Sequence, residues 1–282
     1  MKSTVHWQSL AALFLLAAGS FAQTTPSPAL LILSKQDRTL AIVDPGTLKA
    51  VAHVPVGNDP HEVIASSDGK TAYVSNYGFG AYHTLASVDL VAQKPLPAID
   101  LGALRGPHGL AFRDGKVWFT AEAARSIGSY DPIAGKVDWI MGLGQNRTHM
   151  IYVFPDARRI VTTNVNSGTV TILDKYDLKP GGTMPGVPSG AILPPDSDWL
   201  LTSIPAGIRN EGFDVSPDLN QAWAVSPVDG KVYVIDLSEK KVMAVIDANA
   251  PRANRLKFTP DGKLVLVSAG PELIVIDVAS QK

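Results

Sequence analysis

Residues 60–100 read PHEVIASSDGKTAYVSNYGFGAYHTLASVDLVAQKPLPAID, and this stretch decides the fold. HEVIAS, TAYVSN and TLASVD each alternate apolar and polar residues at period two, the pattern of a half-buried strand. Ser67-Asp68-Gly69 supplies a tight turn between the first two, and a fourth strand is predicted near KPLPAI. Four short strands in about forty residues make one small antiparallel sheet, the size of a propeller blade.

The unit recurs along the chain. A strand ending in Asp appears six times, as TLAIVD, LASVD, SIGSYD, TVTILD, KVYVID and LIVID, closing on Asp44, Asp89, Asp131, Asp174, Asp236 and Asp277. The spacings are 45, 42, 43, 62 and 41 residues. An Asp-centred turn recurs at Asp68, Asp114, Asp156, Asp218 and Asp261, with spacings of 46, 42, 62 and 43. Two markers with one period and the same long unit define a repeat, and no segment after Ala22 has the 3.6-residue periodicity of a helical solenoid. The expected fold is therefore all-β, a propeller of four-stranded blades with six units over residues 23–282 as a single domain. The recurring strand-end Asp residues read as turn formers. The surplus of the long unit, KYDLKPGGTMPGVPSGAILPPDSD (175–198), is rich in Pro and Gly, so an irregular excursion between the third and fourth strands of its blade is expected there.

The first 22 residues carry Lys2, an apolar run SLAALFLLAAG from Ser9 to Gly19, and small residues Ser20 and Ala22 ahead of a polar stretch. That order is a secretory signal peptide with cleavage after Ala22, and it predicts a periplasmic or extracellular location. The apolar run is too short to span a bilayer, which takes about twenty residues. With no Cys, an exported chain must be stable without disulfides. A net charge of −1 argues against general nucleic-acid or anionic-membrane binding, both of which need a basic field.

Strand a, the first of each blade, lines the central channel of a propeller. Aligned on the Asp turns, the start of strand a is His61, His108, His149, Glu211 and Asn254, four of them seven residues before the turn and His108 six before it. Arg105, Arg147, Arg209 and Arg252 lie within three residues of this position. The loops after strand b add Asn76, Tyr77, His83, Glu122, Arg125 and Asn164 as rim residues. Imidazoles and carboxylates from successive blades suit a metal or an acid–base site. They also suit a purely structural role, each His capping its own blade. A shared metal ion requires ligands from different blades within about 4 Å of one another, and the mouth of a propeller reads as too wide for that. The expectation is accordingly no metal and no cofactor, with Arg beside His taking a small anionic molecule or a partner protein.

TAYVSN with PHEV before it and VDL after it resembles the YVTN-type propeller repeat. EGFDVSPDLNQAWAVSPVDGKVYVIDLSEKKV (211–242), followed by RANRLKFTPDGKLVLVS, is similar to the exported YncE-like branch of that family. The resemblance spans nearly all of the mature chain and implies a propeller, typically seven-bladed in that family. One unit, GPHGLAFRDGKVWFTAEAARSIGSYDPIAGKV (106–137), looks like a repeat of the streptogramin lyase type, which implies a lyase or lactonase alternative, although Glu122 falls one place later than that pattern's acidic residue. The strand census departs from a closed ring, since the chain opens with strands b, c and d and closes with a, b and c. An imperfect seam or a missing repeat, with self-association through open edges, is expected from it.

The signal-peptide reading makes one prediction. The protein recovered from the exported fraction is expected to begin at Gln23, which N-terminal sequencing reads directly; a chain retaining Met1 would refute it.

Overall fold

The computed structural model describes residues 24–178 and 197–282; the signal-peptide segment and most of the insertion lie outside the described residues. Six antiparallel sheets succeed one another as blades of a six-bladed propeller. Blade one is β1 (Leu30–Ser34), β2 (Thr39–Asp44) and β3 (Lys49–Pro55). Blade two is β4 (Pro60–Ala65), β5 (Thr71–Asn76), β6 (Thr84–Asp89) and β7 (Lys94–Asp100), and blade three is β8 (Pro107–Arg113), β9 (Lys116–Ala121), β10 (Ser126–Asp131) and β11 (Lys136–Gly142). Blade four is β12 (Thr148–Val153), β13 (Arg159–Asn164), β14 (Thr169–Asp177) and β15 (Ser197–Pro205). Blade five is β16 (Phe213–Val215), β17 (Gln221–Ser226), β18 (Lys231–Asp236) and β19 (Lys241–Asp247), and blade six is β20 (Ala253–Phe258), β21 (Leu264–Ala269) and β22 (Glu272–Asp277). Blades one and six have three strands each, as the strand census requires.

The repeated Asp residues act through local geometry. Asp68 Oδ1 accepts from Ser66 Oγ at 2.6 Å and from the Lys70 amide at 3.1 Å, and the same arrangement recurs at Asp218 and Asp261. Such side-chain turns end one strand and reverse the next. Asp44, Asp89, Asp131 and Asp236 each accept two backbone amides just beyond their strand. Asp174 departs from the pattern. It pairs with Arg159 at 2.5 Å and with Lys240 at 2.6 Å, and Arg159 also donates to the Leu237 carbonyl, so this Asp ties blade four to blade five.

Apolar side chains of adjacent blades interdigitate to form the core. Leu40 and Ile42 pack with Val74 and Val88, Leu85 with Phe119, Ile127 with Ile160, Ile172 with Phe213, and Trp223 with Leu256 and Val267. Full burial of a side chain of this size contributes roughly 1.5–3 kcal/mol. Among the described residues, no such cluster joins blade six to blade one. Leu31 and Leu33 pack toward blade two, so alternation turns Leu30 and Ile32 to the opposite face, where they are 43% and 51% exposed. Ile274 and Ile276 pack toward blade five, leaving Leu273 and Val275 exposed. The seam is imperfect in this specific sense.

Close approach of the inner strands positions the site. A side chain at Gly109 would place its Cβ 2.6 Å from the His149 carbonyl and 2.7 Å from Met150 Cα, so β8 rests directly on the backbone of β12. Gly212 does the same for β16 against Arg255 of β20, at 2.7 Å. Gly109→Ala is expected to cost about 1–3 kcal/mol by overpacking against backbone that cannot yield. Gly142→Ala, where a Cβ meets nothing within 4 Å, is expected to change stability by less than about 0.5 kcal/mol. Urea denaturation of the two variants checks this, and equal effects would refute the close-contact account.

Candidate functional site

Four of the inner strands, β4, β8, β12 and β20, carry an irregularity where the aligned residue sits, whereas Glu211 precedes the regular strand β16. Register shifts fall between Pro60 and Val63, Pro107 and Leu110, Thr148 and Ile151, and Ala253 and Arg255, bracketing His61, His108, His149 and Asn254. A bulge re-aims a side chain that regular pleating would direct elsewhere. Two residues before each aligned position the backbone is left-handed, at Asp59, Gly106, Arg147, Arg209 and Arg252 with φ of 44°, 70°, 61°, 62° and 62°. Arg147, Arg209 and Arg252 thus occupy one conformational slot, the one filled by Gly in blade three, and Arg105 lies one residue outside it.

The bulges bring three imidazoles together. The His61 and His108 ring centroids are 4.2 Å apart and those of His108 and His149 3.7 Å apart, and Tyr77 closes on His61 at 4.9 Å and His108 at 5.1 Å. The expectation that the mouth is too wide for contact between blades fails here. Among the described residues five blades contribute an inner strand, and Gly109 lets two of those strands touch. Arg255 of β20 hydrogen-bonds Glu62 of β4, linking blades six and two across the place where blade one has no inner strand.

The reading of each His as a cap of its own blade is also corrected. His108 is fully buried and neither of its ring nitrogens has a hydrogen-bond partner; His149 is 2% exposed, and its Nε2 has none. His149 Nδ1 instead hydrogen-bonds Glu122 Oε1, which belongs to the preceding blade. Glu122 gathers the site. Its Oε2 accepts from the Tyr77 hydroxyl at 2.5 Å and from Arg147 Nε at 3.2 Å, and Arg147 Nη1 lies 3.6 Å from Glu211 Oε1. A belt of contacts therefore runs from blade two to blade five through Tyr77, Glu122, His149, Arg147 and Glu211.

Burial pushes against the charge on Glu122, yet the hydrogen bonds from His149 and Tyr77 and the nearby Arg147 outweigh it and hold the carboxyl below its usual range. Burial, reinforced by Glu122, pushes the Tyr77 phenol up to about 12. Burial first, and the Lys35 charge second, bring His61 down to about 4, and burial holds His108 well below the usual imidazole range. Lys35 Nζ donates to His61 Nδ1 at 2.5 Å and lies 3.0 Å from Asp59.

The other rim residues have different fates. Asn76 and Asn164 are buried and hold their own blades, Asn76 through the Val56 and Asn58 carbonyls and Asn164 through Thr148 and Thr171. Asn254, Arg105, Arg125, Arg209 and Arg252 are exposed, and His83 pairs with Asp100 at 2.8 Å. A cleft of about 220 Å³ opens onto the belt, lined by Tyr77, Phe79, Glu122, Asn146, Arg147 and Asn166. Glu62 and Arg255, each one place after an aligned residue, and Lys35 belong to the same neighbourhood, and nothing about their residue types in the repeat marks them as partners.

Comparison with known proteins defines the architecture alone. No family model matches the chain, and no curated protein matches it. A solved structure of a functionally unknown protein from Desulfotomaculum acetoxidans is similar over 88% of this chain and 74% of its own length, with a TM-score of 0.70 and 13% identity.

The belt predicts energetic coupling. Tyr77→Phe removes one hydrogen bond to a charged acceptor and is expected to cost about 1.5–3 kcal/mol. Combined with Arg147→Met, which removes a second contact to the same carboxylate, it is expected to be non-additive by about 0.5–3 kcal/mol. A double-mutant cycle followed by urea denaturation measures this, and strict additivity would show that Glu122 does not join the two.

Proposed function

We propose that this chain is an exported, YVTN-type propeller that binds a small ligand at the mouth built from His61, His108, His149, Glu122, Arg147 and Glu211. Export is supported by the charged start, apolar run and small-residue site of residues 1–22. The observation that carries the binding reading is the cleft beside Glu122 and Arg147, whose walls come from the loops of three successive blades and which Glu122 and Tyr77 join to the imidazole cluster. A concave opening over rigid strands, with aromatic side chains and a few placed polar groups such as Glu122 and Arg147, is the ordinary setting of a small-molecule site. Arg147 supplies the contact for an anionic group. It is already shared between Glu122 and Glu211, so the ligand's anion competes with Glu211, the longer of its two contacts, and exposed Arg209 stands in the same backbone slot on the next blade. A protein partner docking at this mouth uses the same groups.

One observation favours an enzyme of the lyase or lactonase class as a second reading. A carboxylate hydrogen-bonded to an imidazole Nδ1, as Glu122 is to His149, is the arrangement that orients a His as a general base.

Titration with inorganic phosphate and small carboxylates, followed by calorimetry and thermal shift, tests the binding reading. A ligand of the native state raises the melting temperature by mass action. The wild-type protein is expected to bind at least one of these anions, the Arg147→Ala/Arg209→Ala protein to lose that binding while remaining folded, and Arg158→Ala, whose partner is Asp177 away from the mouth, to retain it. Absence of binding by the wild type, or its survival in the double variant, would overturn the proposal.

A further inference from the structure

We infer that the imidazole cluster is a site for one borderline divalent transition ion, such as Zn²⁺, Co²⁺ or Cu²⁺, with His108 and His149 as its buried ligands, His61 completing it from the channel side, and Glu122 orienting His149. This rests on the same mouth as the ligand reading and names a cation for the imidazoles that Glu122 joins to the cleft.

The argument starts from hydrogen bonding. A neutral imidazole has one N–H and one lone pair, and both need partners when buried. His108 is fully buried with neither nitrogen satisfied, and His149 Nε2 is likewise buried and unpartnered. Unpaired buried polar groups are costly and rare in native proteins, so nitrogens of two adjacent rings left together require an explanation. A cation shared between the two lone pairs provides one.

Geometry supports the same conclusion. Ligand atoms of His108, Glu122 and His149 all lie within 4.8 Å of one another, and so do those of His61, Glu62 and His108, with His108 common to both groups. Nitrogens about 2.0–2.1 Å from one ion are roughly 3–4 Å apart, so within each group ring movements on the order of 1 Å suffice, with His108 the ring that joins them.

The surroundings match the outer shell that metal-bound histidines usually have. Glu122 accepts the Nδ1 proton of His149, which leaves the Nε2 lone pair of that ring for a cation. Lys35 donates to His61 Nδ1 and has Asp59 as an alternative partner at 3.0 Å, so it can release His61 when the Nε2 of that ring binds an ion. Glu122 and Glu211 flank Arg147 and offset its charge toward a cation in the cluster. Imidazole ligands select Zn, Co, Ni and Cu over Mg and Ca, whose preferred ligands are oxygen.

The test uses the mature chain stripped with chelator and dialysed, then titrated with Co²⁺ as a spectroscopic probe and with Zn²⁺, with Mg²⁺ as control. The expected result is a one-to-one Co²⁺ complex with ligand-field absorption, displaced by Zn²⁺ and absent with Mg²⁺, and a Zn²⁺-dependent rise in melting temperature. His149→Gln and His61→Gln are expected to weaken it at least 100-fold, and Glu122→Gln 10–100-fold; His53→Ala, an exposed His outside the cluster, is expected to leave it unchanged. His61 is only half-buried, so its variant reports even if replacement of a buried His disturbs folding. No complex in the wild type, or one that persists in both His61→Gln and His149→Gln, would overturn the site. Repeating the phosphate and carboxylate titration on the same stripped protein separates the readings, since anion binding retained without metal binding removes the ion and leaves the ligand mouth standing.

Discussion

Contact between β8 and β12 through Gly109 is the constraint on which the site depends. A propeller's inner strands ordinarily diverge from the axis as far as their side chains demand, and a Cβ at residue 109 would force these two apart. Its absence lets consecutive blades meet backbone to backbone, and the bulge in each strand then directs His108 and His149 toward a common point. The left-handed residue two places upstream is the third part of the device. In blade three it is Gly106, which adopts that conformation without steric cost, whereas Arg147 in blade four takes it up with its side chain held by Glu122 and Glu211. Mild backbone strain in that loop is offset by the ion pairs it makes possible.

Glu122 is the electrostatic counterpart of this crowding. A carboxylate with side-chain exposure of 4% is stable in ionised form only when its lone pairs are taken up, and here Tyr77, His149 and Arg147 take them. The donors come from two segments, the loop after β5 of blade two and the start of β12 of blade four, so the charge on blade three's Glu122 cannot be satisfied unless blades two, three and four are correctly assembled. The same carboxylate serves both ligand readings, because it fixes His149 on one side and lines the open cleft with Arg147 on the other. A ligand entering the cleft and an ion seated among the imidazoles are therefore neighbours that share Glu122, and their affinities are expected to depend on one another.

Blades one and six show what the ring lacks. Adjacent blades elsewhere share apolar clusters, whereas the outward faces of β1 and β22 leave Leu30, Ile32, Leu273 and Val275 exposed. The link that does cross this region is polar, from Arg255 to Glu62. Glu62 is pushed up by its burial, while Arg255 draws it down. Among the described residues blade one has three strands and no inner one, which has two consequences of opposite value, an unsealed pair of sheet faces and a channel lined by fewer strands, narrow enough for its imidazoles to touch.

How much of this was legible in the sequence follows from which interactions are local. Alternating strands, Asp turns and a period near forty residues are set by neighbours a few positions apart, so the all-β propeller, its strand census and the alignment of His61, His108, His149, Glu211 and Asn254 could all be read from the chain. Tyr77 and Glu122 were readable as rim residues for the same reason. The distance between blades was not readable, because it depends on what a missing Cβ at Gly109 meets on a strand forty residues away. Nor was the pairing of Arg255 with Glu62, which are separated by 193 positions. The sequence by itself determined the repeat and the residues it presents to the axis. Only the tertiary structure decided that three of them touch, that one carboxylate binds several blades together and that two buried imidazoles share unpaired nitrogens, since those outcomes come from close packing between elements that carry no mutual signal along the chain.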